Sequence, residues 1–307
     1  MTKWGLVATI KAPADEVLAF AAHHLDLGAH RLYIYLDAPD PDTFGALKAH
    51  PKIRVTTCDA THWQRLGKHR PKKHQVRQCA NATHAYGRRA EVDWLIHMDV
   101  DEFLWPSAPV SELLAALPDE TLCARARPIE SIAGNANLFK GFIPSGPERN
   151  AITERLYPRF GRFVRGGFLS HVAGKLFVRT GLGPLSVRIH NVFQGERMNP
   201  GEAELDSVAL CHRHARDWDH WIAAYRYRLE NGSYRSELPP RDSGGLNLHE
   251  LLRTIEARDG EAGLRAFYDE LCADTPDLRQ RLADAGLLRV CDLDLAPKVR
   301  KHFPDFP

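Results

Sequence analysis

Three carboxylates occupy four consecutive positions of the stretch WLIHMDVDEFLWP, at Asp99, Asp101 and Glu102. Apolar residues flank them on both sides, so we expect the acids to lie at the buried end of a strand. Close carboxylates repel each other unless a cation lies between them. Carboxylate oxygens suit Mg²⁺ or Mn²⁺, ions that often bind substrate phosphates as well. The stretch therefore predicts a divalent cation site, and a solvated strand end followed by a helix N-cap is the alternative.

Strand and helix signals alternate over the first hundred residues. Apolar runs at 4–11, 31–37, 53–59 and 94–99 are separated by segments of helical periodicity. This alternation predicts an α/β fold with a mostly parallel sheet flanked by helices. Such sheets bind ligands at the carboxyl ends of their strands, so acids at the predicted strand ends, Asp37, Asp59 and Asp99, should converge. If the fourth strand continues through the motif, Asp99 and Asp101 point to the same face.

The pattern changes after residue 120, where several further strands and an amphipathic helix are predicted. A break rich in Pro, Gly and Ser follows at 236–245. The remaining segment has a helical stripe of leucines. We therefore predict a main domain over 1–240 and a C-terminal helical extension over 246–307.

The composition favours a soluble globular protein. Of 307 residues, 26% are charged and 44% apolar, and the net charge is +2. This balance gives no indication of a nucleic-acid partner. Six cysteines without a C-x-x-C pair favour reduced thiols, and no run approaches the length of a membrane helix. We expect a cytoplasmic protein, and peripheral association with a membrane complex is compatible with the sequence.

The sequence resembles family 2 glycosyltransferases of the GT-A fold, in the bacterial branch whose strand ends in D-x-D-E-F. Here that motif is DVDEF at 99–103. Other stretches resemble further family segments in the same order along the chain: HHLDLGAHRLYIYLD (23–37), GKLFVRT followed by VRIHNVF, and ALCHRHARDWDHWIAAYRYRLENG. The sequence departs from the branch where Lys11-Ala12-Pro13 replaces its usual Asn-Glu and where Arg213, not Tyr, follows His212.

The resemblance implies an inverting transfer of a sugar from a nucleotide-sugar donor to a glycan or lipid-linked acceptor, as in polysaccharide biosynthesis. Asp37 would contact the base or ribose, and Asp99 the ribose or metal. Asp101 would bind the manganese or magnesium ion that bridges the diphosphate, and His212 would complete the metal shell. The resemblance also selects Lys175 and His190 as donor-binding residues.

Other candidate site residues also have purely structural explanations. His214 lies two residues beyond His212, and a strand histidine is usually only packed or hydrogen-bonded. The general base could be Glu130, Asp217 or Asp219, although the last two fit the acids of a helix N-terminus. Two basic stretches, 62–78 and 149–188, are solvated loops or rims that attract phosphate.

Three competing functions remain. A sugar nucleotidyltransferase would usually carry a Gly-rich phosphate loop after the first strand, and ATIKAPADE has no glycine. A haloacid dehalogenase-like phosphatase would place its D-x-D motif after the first strand, not the fourth. A non-catalytic anion-binding module would not need buried carboxylates.

Overall fold

The computed structural model describes residues 1–88, 91–231 and 248–306. The chain forms two compact units, each built from separate segments. Unit 1 contains Met1–Arg127, Ala173–Leu210 and Leu293–Pro307. Unit 2 contains Pro128–Val172 and Cys211–Asp292.

The strands of the described residues are numbered in chain order. They are β1 (Trp4–Ile10), β2 (Arg31–Leu36), β3 (Ile53–Thr57), β4 (Trp94–His97), β5 (Glu102–Pro106), β6 (Cys123–Ser131), β7 (Leu138–Lys140), β8 (Lys175–Arg179), β9 (Ser186–Val187), β10 (Val192–Gln194), β11 (Arg197–Met198), β12 (Glu202–His212) and β13 (Leu288–Val290).

The helices are numbered in the same way. They are α1 (Ala14–Asp26), α2 (Pro41–Ala49), α3 (Ala60–Arg65), α4 (His74–Gly87), α5 (Val110–Ala115), α6 (Arg149–Leu156), α7 (Trp218–Asn231), α8 (Leu248–Leu271), α9 (Pro276–Asp284) and α10 (Leu295–His302), with short 3₁₀ turns at Gly161–Phe163 and Arg165–Gly167.

The sheet of unit 1 has the strand order β6-β8-β4-β1-β2-β3. Strand β6 belongs to unit 1 only as far as Arg127. Strands β4, β1, β2 and β3 pair in parallel, whereas β8 runs antiparallel to both β4 and β6. Every residue of β1 is buried, as expected for a strand covered on both faces. The predicted α/β fold with a mostly parallel sheet and flanking helices is confirmed.

Strand β4 ends two residues earlier than the sequence suggests. It stops at His97, and the chain then makes a tight turn in which Glu102 N donates to Asp99 O at 3.1 Å. The expectation that Asp99 and Asp101 share one face of a continuing strand is therefore wrong, since Asp101 lies in the turn and β5 begins at Glu102. The acids still follow the carboxyl end of β4, which is where the parallel sheet predicted them.

Unit 2 has a core of its own, built largely by helices. The sheet contribution is the end of β6 with β7 and β13, paired antiparallel. Helices α7, α8 and α9 bury Trp221, Tyr225, Leu252, Phe267 and Leu278 in one cluster. Burial of large apolar side chains on this scale is what stabilises such a unit.

The compact units do not follow the predicted division between 1–240 and 246–307. Helices α8 and α9 share the core of unit 2 with residues 128–172, whereas α10 packs against α1 in unit 1. The predicted helical extension also contains β13. The Pro/Gly/Ser break lies outside the described residues.

Two further expectations can be compared with the structure. All six cysteines are free thiols, as their spacing predicted. Among the described helices, none combines the length and the apolar character that crossing a membrane would require. The cytoplasmic location stays a prediction.

Candidate functional site

Lys175 is a positive partner of the acidic turn in unit 1. Its Nζ lies 2.7 Å from Asp99 Oδ2 and 3.4 Å from Glu102 Oε2. The side chains of Lys175 and Glu102 are fully buried, and that of Asp99 is 28% exposed. Buried charges are stable only when they are paired, so each side of this ion group requires the other. The acidic turn is thus built around an ammonium group supplied by the chain itself.

Backbone geometry places Lys175 beside the turn. It begins β8, and because β8 runs antiparallel to β4, the start of one strand lies next to the end of the other. The preceding residue, Gly174, has φ +71°, and a Cβ there would lie 2.1 Å from the carbonyl oxygen of Ala126. Only glycine fits this close approach, so Gly174 fixes the path of the chain into Lys175.

Two further hydrogen bonds organise the turn. Asp99 N donates to Glu102 Oε2 at 2.8 Å, and the Gln78 side-chain amide donates to Asp99 Oδ1. Both carboxylate oxygens of Asp99 therefore accept hydrogen bonds, one from Gln78 and one from Lys175. Asp101 is half-buried in the same turn.

His97 is a residue that the sequence analysis missed. His97 ends β4 and is 5% exposed. Neither of its ring nitrogens makes a hydrogen bond of normal geometry with the described residues, and the backbone of Ile189 lies near the ring. Burial and the nearby Lys175 charge lower the pKa of His97 to about 4. The ring is therefore neutral at pH 7. The sequence did contain a signal for His97. It lies two residues before Asp99, and in a strand two residues at that spacing point to the same face.

Asp37 forms the second charged group of unit 1, just beyond β2. Arg77 Nε lies 2.8 Å from Oδ1 and Arg77 Nη2 2.6 Å from Oδ2, while Arg70 Nη2 is 3.0 Å from Oδ1 and His74 Nδ1 3.4 Å from Oδ2. The carboxylate is completely buried. Burial alone would raise the pKa of Asp37, but hydrogen bonds from His74 and Arg77 and the arginine charges hold it well below its usual range. Asp37 thus faces protein cations, which favours a role in anchoring the basic segment.

Helix α4 links the two charged groups. Arg77 and Gln78 are consecutive, and they bind Asp37 and Asp99 respectively. Both acids follow parallel strands, so one helix fixes the carboxyl ends of β2 and β4. The third predicted strand-end acid, Asp59, instead caps α3 by accepting from His62 N at 2.8 Å.

The basic segment 62–78 therefore divides into two parts. Arg70, His74 and Arg77 reach Asp37, as expected for a segment on the ligand side of the sheet. Its remaining lysines and one histidine are exposed and solvated, namely Lys68, His69, Lys72 and Lys73.

His190 lies close to the start of β8. Its Nδ1 is 2.9 Å from the carbonyl oxygen of Gly174, and Arg125 Nη1 donates to the His190 carbonyl at 3.0 Å. Its position supports the backbone that carries Lys175, and donor contact stays a prediction.

The remaining predicted residues lie in unit 2. The ring of His212 is 5.1 Å from that of His171 and 5.5 Å from that of His214, measured between centroids. A ring nitrogen of His171 lies within 4.8 Å of one of His212. Two imidazoles at such a spacing can bind one metal ion. His171 was not singled out by the sequence, because it lies in a loop with no periodic signal.

Glu130 is bound on both oxygens in unit 2. Lys140 Nζ donates to Oε1 at 2.6 Å, and the backbone N of Ser170 donates to Oε2 at 2.8 Å. Burial alone would raise the pKa of Glu130, but the charges of Lys140 and His214 hold it well below its usual range. The same loop continues into His171, so Glu130 fixes the backbone that positions this histidine.

The two aspartates near α7 have the geometry of a helix N-terminus. Asp217 Oδ1 accepts from His220 N at 2.7 Å, and Asp219 lies in the first turn. Such contacts satisfy free backbone donors at the start of a helix.

Comparison with known proteins leaves the function open. No protein-family model matches the chain, and no curated protein matches it. A crystal structure of a mycobacterial protein is similar at 13% identity and a TM-score of 0.36, over 90% of this chain and 76% of that chain. The crystal structure of HddC from Yersinia pseudotuberculosis is similar at 10% identity and a TM-score of 0.29, over 59% of this chain and 75% of that chain. At these identities and TM-scores, neither similarity indicates an activity for this chain.

Proposed function

We propose that the protein is an inverting glycosyltransferase that moves a sugar from a nucleotide-sugar donor to a glycan or lipid-linked acceptor. The observation that carries the proposal is the acidic turn of Asp99, Asp101 and Glu102 at the carboxyl end of β4, in which Glu102 is buried and both aspartates are partly exposed. Ligands of open, mostly parallel sheets bind at this edge. The D-x-D-E-F resemblance supports the same assignment independently of the geometry.

The donor set of the turn fits a divalent cation. Asp99 and Asp101 supply carboxylate oxygens, which Mn²⁺ and Mg²⁺ prefer, and both retain some exposure. These two residues would hold the ion, and when bound it would neutralise charge on the departing diphosphate. The role of His212 as a metal ligand stays a prediction. Within unit 2, its ring lies against that of His171, an arrangement that suits metal binding.

Chain groups supply the rest of the proposed chemistry. Gln78 orients the Asp99 carboxylate, and Glu102 holds the turn through the Asp99 backbone N–H. Lys175 balances the charge of the turn when no metal ion is bound. Hydrogen bonds that are already in place hold the carboxylates for the ion without reorganisation during the reaction.

The environment of Glu130 argues against its service as a general base. A base needs a lone pair that faces the acceptor hydroxyl, and both Glu130 oxygens already accept hydrogen bonds from Lys140 and Ser170. Asp217 is engaged as a helix cap.

A thermal-shift screen tests donor recognition. Purified protein is heated with nucleotide sugars and nucleoside diphosphates, each with and without Mn²⁺. A ligand present at about 100 times its dissociation constant stabilises the folded state by about 2.7 kcal/mol. The proposal predicts a shift with one nucleotide class that grows when Mn²⁺ is added. Equal shifts with inorganic phosphate and with every nucleotide would instead support an anion-binding module.

A further inference from the structure

One oxygen of the Asp99 carboxylate is already bound by a cation of the chain itself. Lys175 Nζ lies 2.7 Å from Asp99 Oδ2. A divalent cation bound through Asp99 would bring a second positive charge next to this buried ammonium. Like charges at such a distance in a dry environment repel strongly. A divalent cation at Asp99 would therefore weaken the hold of Lys175 on the same carboxylate.

Lys175 has alternative partners at hand. Glu102 is fully buried, and its Oε2 lies 3.4 Å from Nζ. His97 is buried and neutral, and it lies near enough to Lys175, Asp99 and Glu102 for their charges to influence its pKa. Neither of its ring nitrogens has a hydrogen bond of normal geometry to the described residues, so the ring can accept one. A polar ring with free acceptor capacity inside an ion group is unusual, since buried polar groups are generally paired.

We propose that Lys175 is a built-in competitor of the divalent cation for the Asp99 carboxylate. In the absence of the cation, the ammonium neutralises Asp99. When the cation binds, Lys175 releases Asp99 and remains paired with Glu102. His97 then accepts the hydrogen bond that Lys175 previously donated to Asp99. This inference rests on the proposed metal site at Asp99 and Asp101.

The competition has a consequence for the order of binding. A cation that must displace an ammonium binds the free protein weakly. A nucleoside diphosphate adds negative charge and further oxygen ligands to the cation, so the pair together overcomes the competition. The cation therefore enters with the nucleotide, and the free protein holds little of it.

The test is a titration of Mn²⁺ alone, followed by electron paramagnetic resonance, with wild type and Lys175→Met. The substitution keeps most of the side-chain volume and removes the competing charge. Because a charge at this distance shifts a neighbouring equilibrium by one to three powers of ten, Lys175→Met should bind Mn²⁺ at least about tenfold more tightly than wild type. Lys48→Met, an exposed helix substitution, is the matched control and should change nothing.

Lys175→Met also leaves buried carboxylates without their cation, which threatens folding. The double variant Lys175→Met/Glu102→Gln removes one charge of each sign and keeps a hydrogen-bonding amide beside the Asp99 backbone. It should show the same gain in Mn²⁺ affinity. Unchanged or weaker Mn²⁺ binding in the folded variants would overturn the proposal. The readout is metal binding, so this test is separate from the test of the proposed function. If the variants bind Mn²⁺ more tightly but wild type transfers no sugar, the proposed function is refuted and the competition at Asp99 stands.

Discussion

Arg77 and Asp37 form a two-point ion pair across 40 residues of sequence: Nε lies 2.8 Å from Oδ1 and Nη2 lies 2.6 Å from Oδ2. The Asp37 side chain is completely buried and that of Arg77 is 10% exposed. Planar guanidinium groups suit this geometry, which a lysine cannot reproduce. The pair attaches α4 to the end of β2, and the next residue of α4 holds the acidic turn.

Replacing Arg77 should destabilise the fold. Arg77→Ala leaves a buried carboxylate with only Arg70 and His74, and removing one partner of a buried pair costs about 3 kcal/mol. Urea unfolding measures the loss, and Arg65→Ala, exposed in the same basic segment, should change stability little. The double variant Arg77→Met/Asp37→Asn should recover much of the loss. A double variant as unstable as Arg77→Ala would contradict the ion-pair explanation.

Two buried histidines should make stability fall in mild acid. Burial lowers the pKa of His23 to about 4 and that of His24 well below its usual value. Their folded pKa values lie below the unfolded value near 6.5, so full stability is present above pH 6.5 and is lost as pH falls toward 4. At pH 5 the loss from His23 is about 2 kcal/mol, and the lowered pKa of His24 adds to it in the same direction.

Urea unfolding at pH 7.5 and pH 5 measures this effect. The variant His23→Gln/His24→Gln should start less stable, because His23 bonds the Leu104 carbonyl, but should lose less on acidification. The exposed substitution His69→Gln is the control and should behave as wild type. Parallel losses in all three proteins would show that other groups dominate the acid response.

The exposed lysines of the basic segment should act on donor capture. Lys68, Lys72 and Lys73 are solvated, and surface charges lose their reach beyond ~8 Å at physiological salt. Changing all three to Gln should raise the donor KM at low salt and flatten its salt dependence, with kcat little affected. Arg70→Gln should also reduce stability, since Arg70 pairs with Asp37. A triple variant with wild-type KM at every salt concentration would return these lysines to a purely solvating role.

Truncation at Arg241 should produce an insoluble chain. The sequence suggested a separable helical tail, but Leu252, Phe267 and Leu271 are buried in the core of unit 2. Deleting them exposes a large apolar surface, which favours aggregation. Removal of only the last three residues is the control for chain shortening. A soluble, cooperatively unfolding product of the truncation at Arg241 would show that the tail is separable after all.

The elements best predicted from the sequence were those with a strong local pattern. The apolar runs of β1 and β2 and the buried stripe of α1 lie where periodicity placed them. Asp37 and Asp99 follow strand ends as expected, because the carboxyl edge of a parallel sheet follows from the alternation of strands and helices.

What the sequence could not provide depends on contacts between distant residues. Lys175 is 76 residues from Asp99, and no local pattern indicates that its ammonium neutralises the turn. The Arg77 pair likewise makes Asp37 an anchor for α4, which no local pattern indicates, and donor contact by Asp37 stays a prediction. The compact units differ from the predicted division because a Pro/Gly/Ser break is a local pattern, whereas tertiary packing decides which helices share a core.

The central claim is tested most directly by measuring nucleoside diphosphate release from the nucleotide sugar identified in the screen, with Mn²⁺ present. Wild type and Asp119→Ala, whose side chain is fully exposed, should release it at equal rates, whereas folded Asp101→Ala should release none above background. Removal of a carboxylate that is proposed to bind the metal ion would explain that loss. Near-normal release by Asp101→Ala would contradict the account.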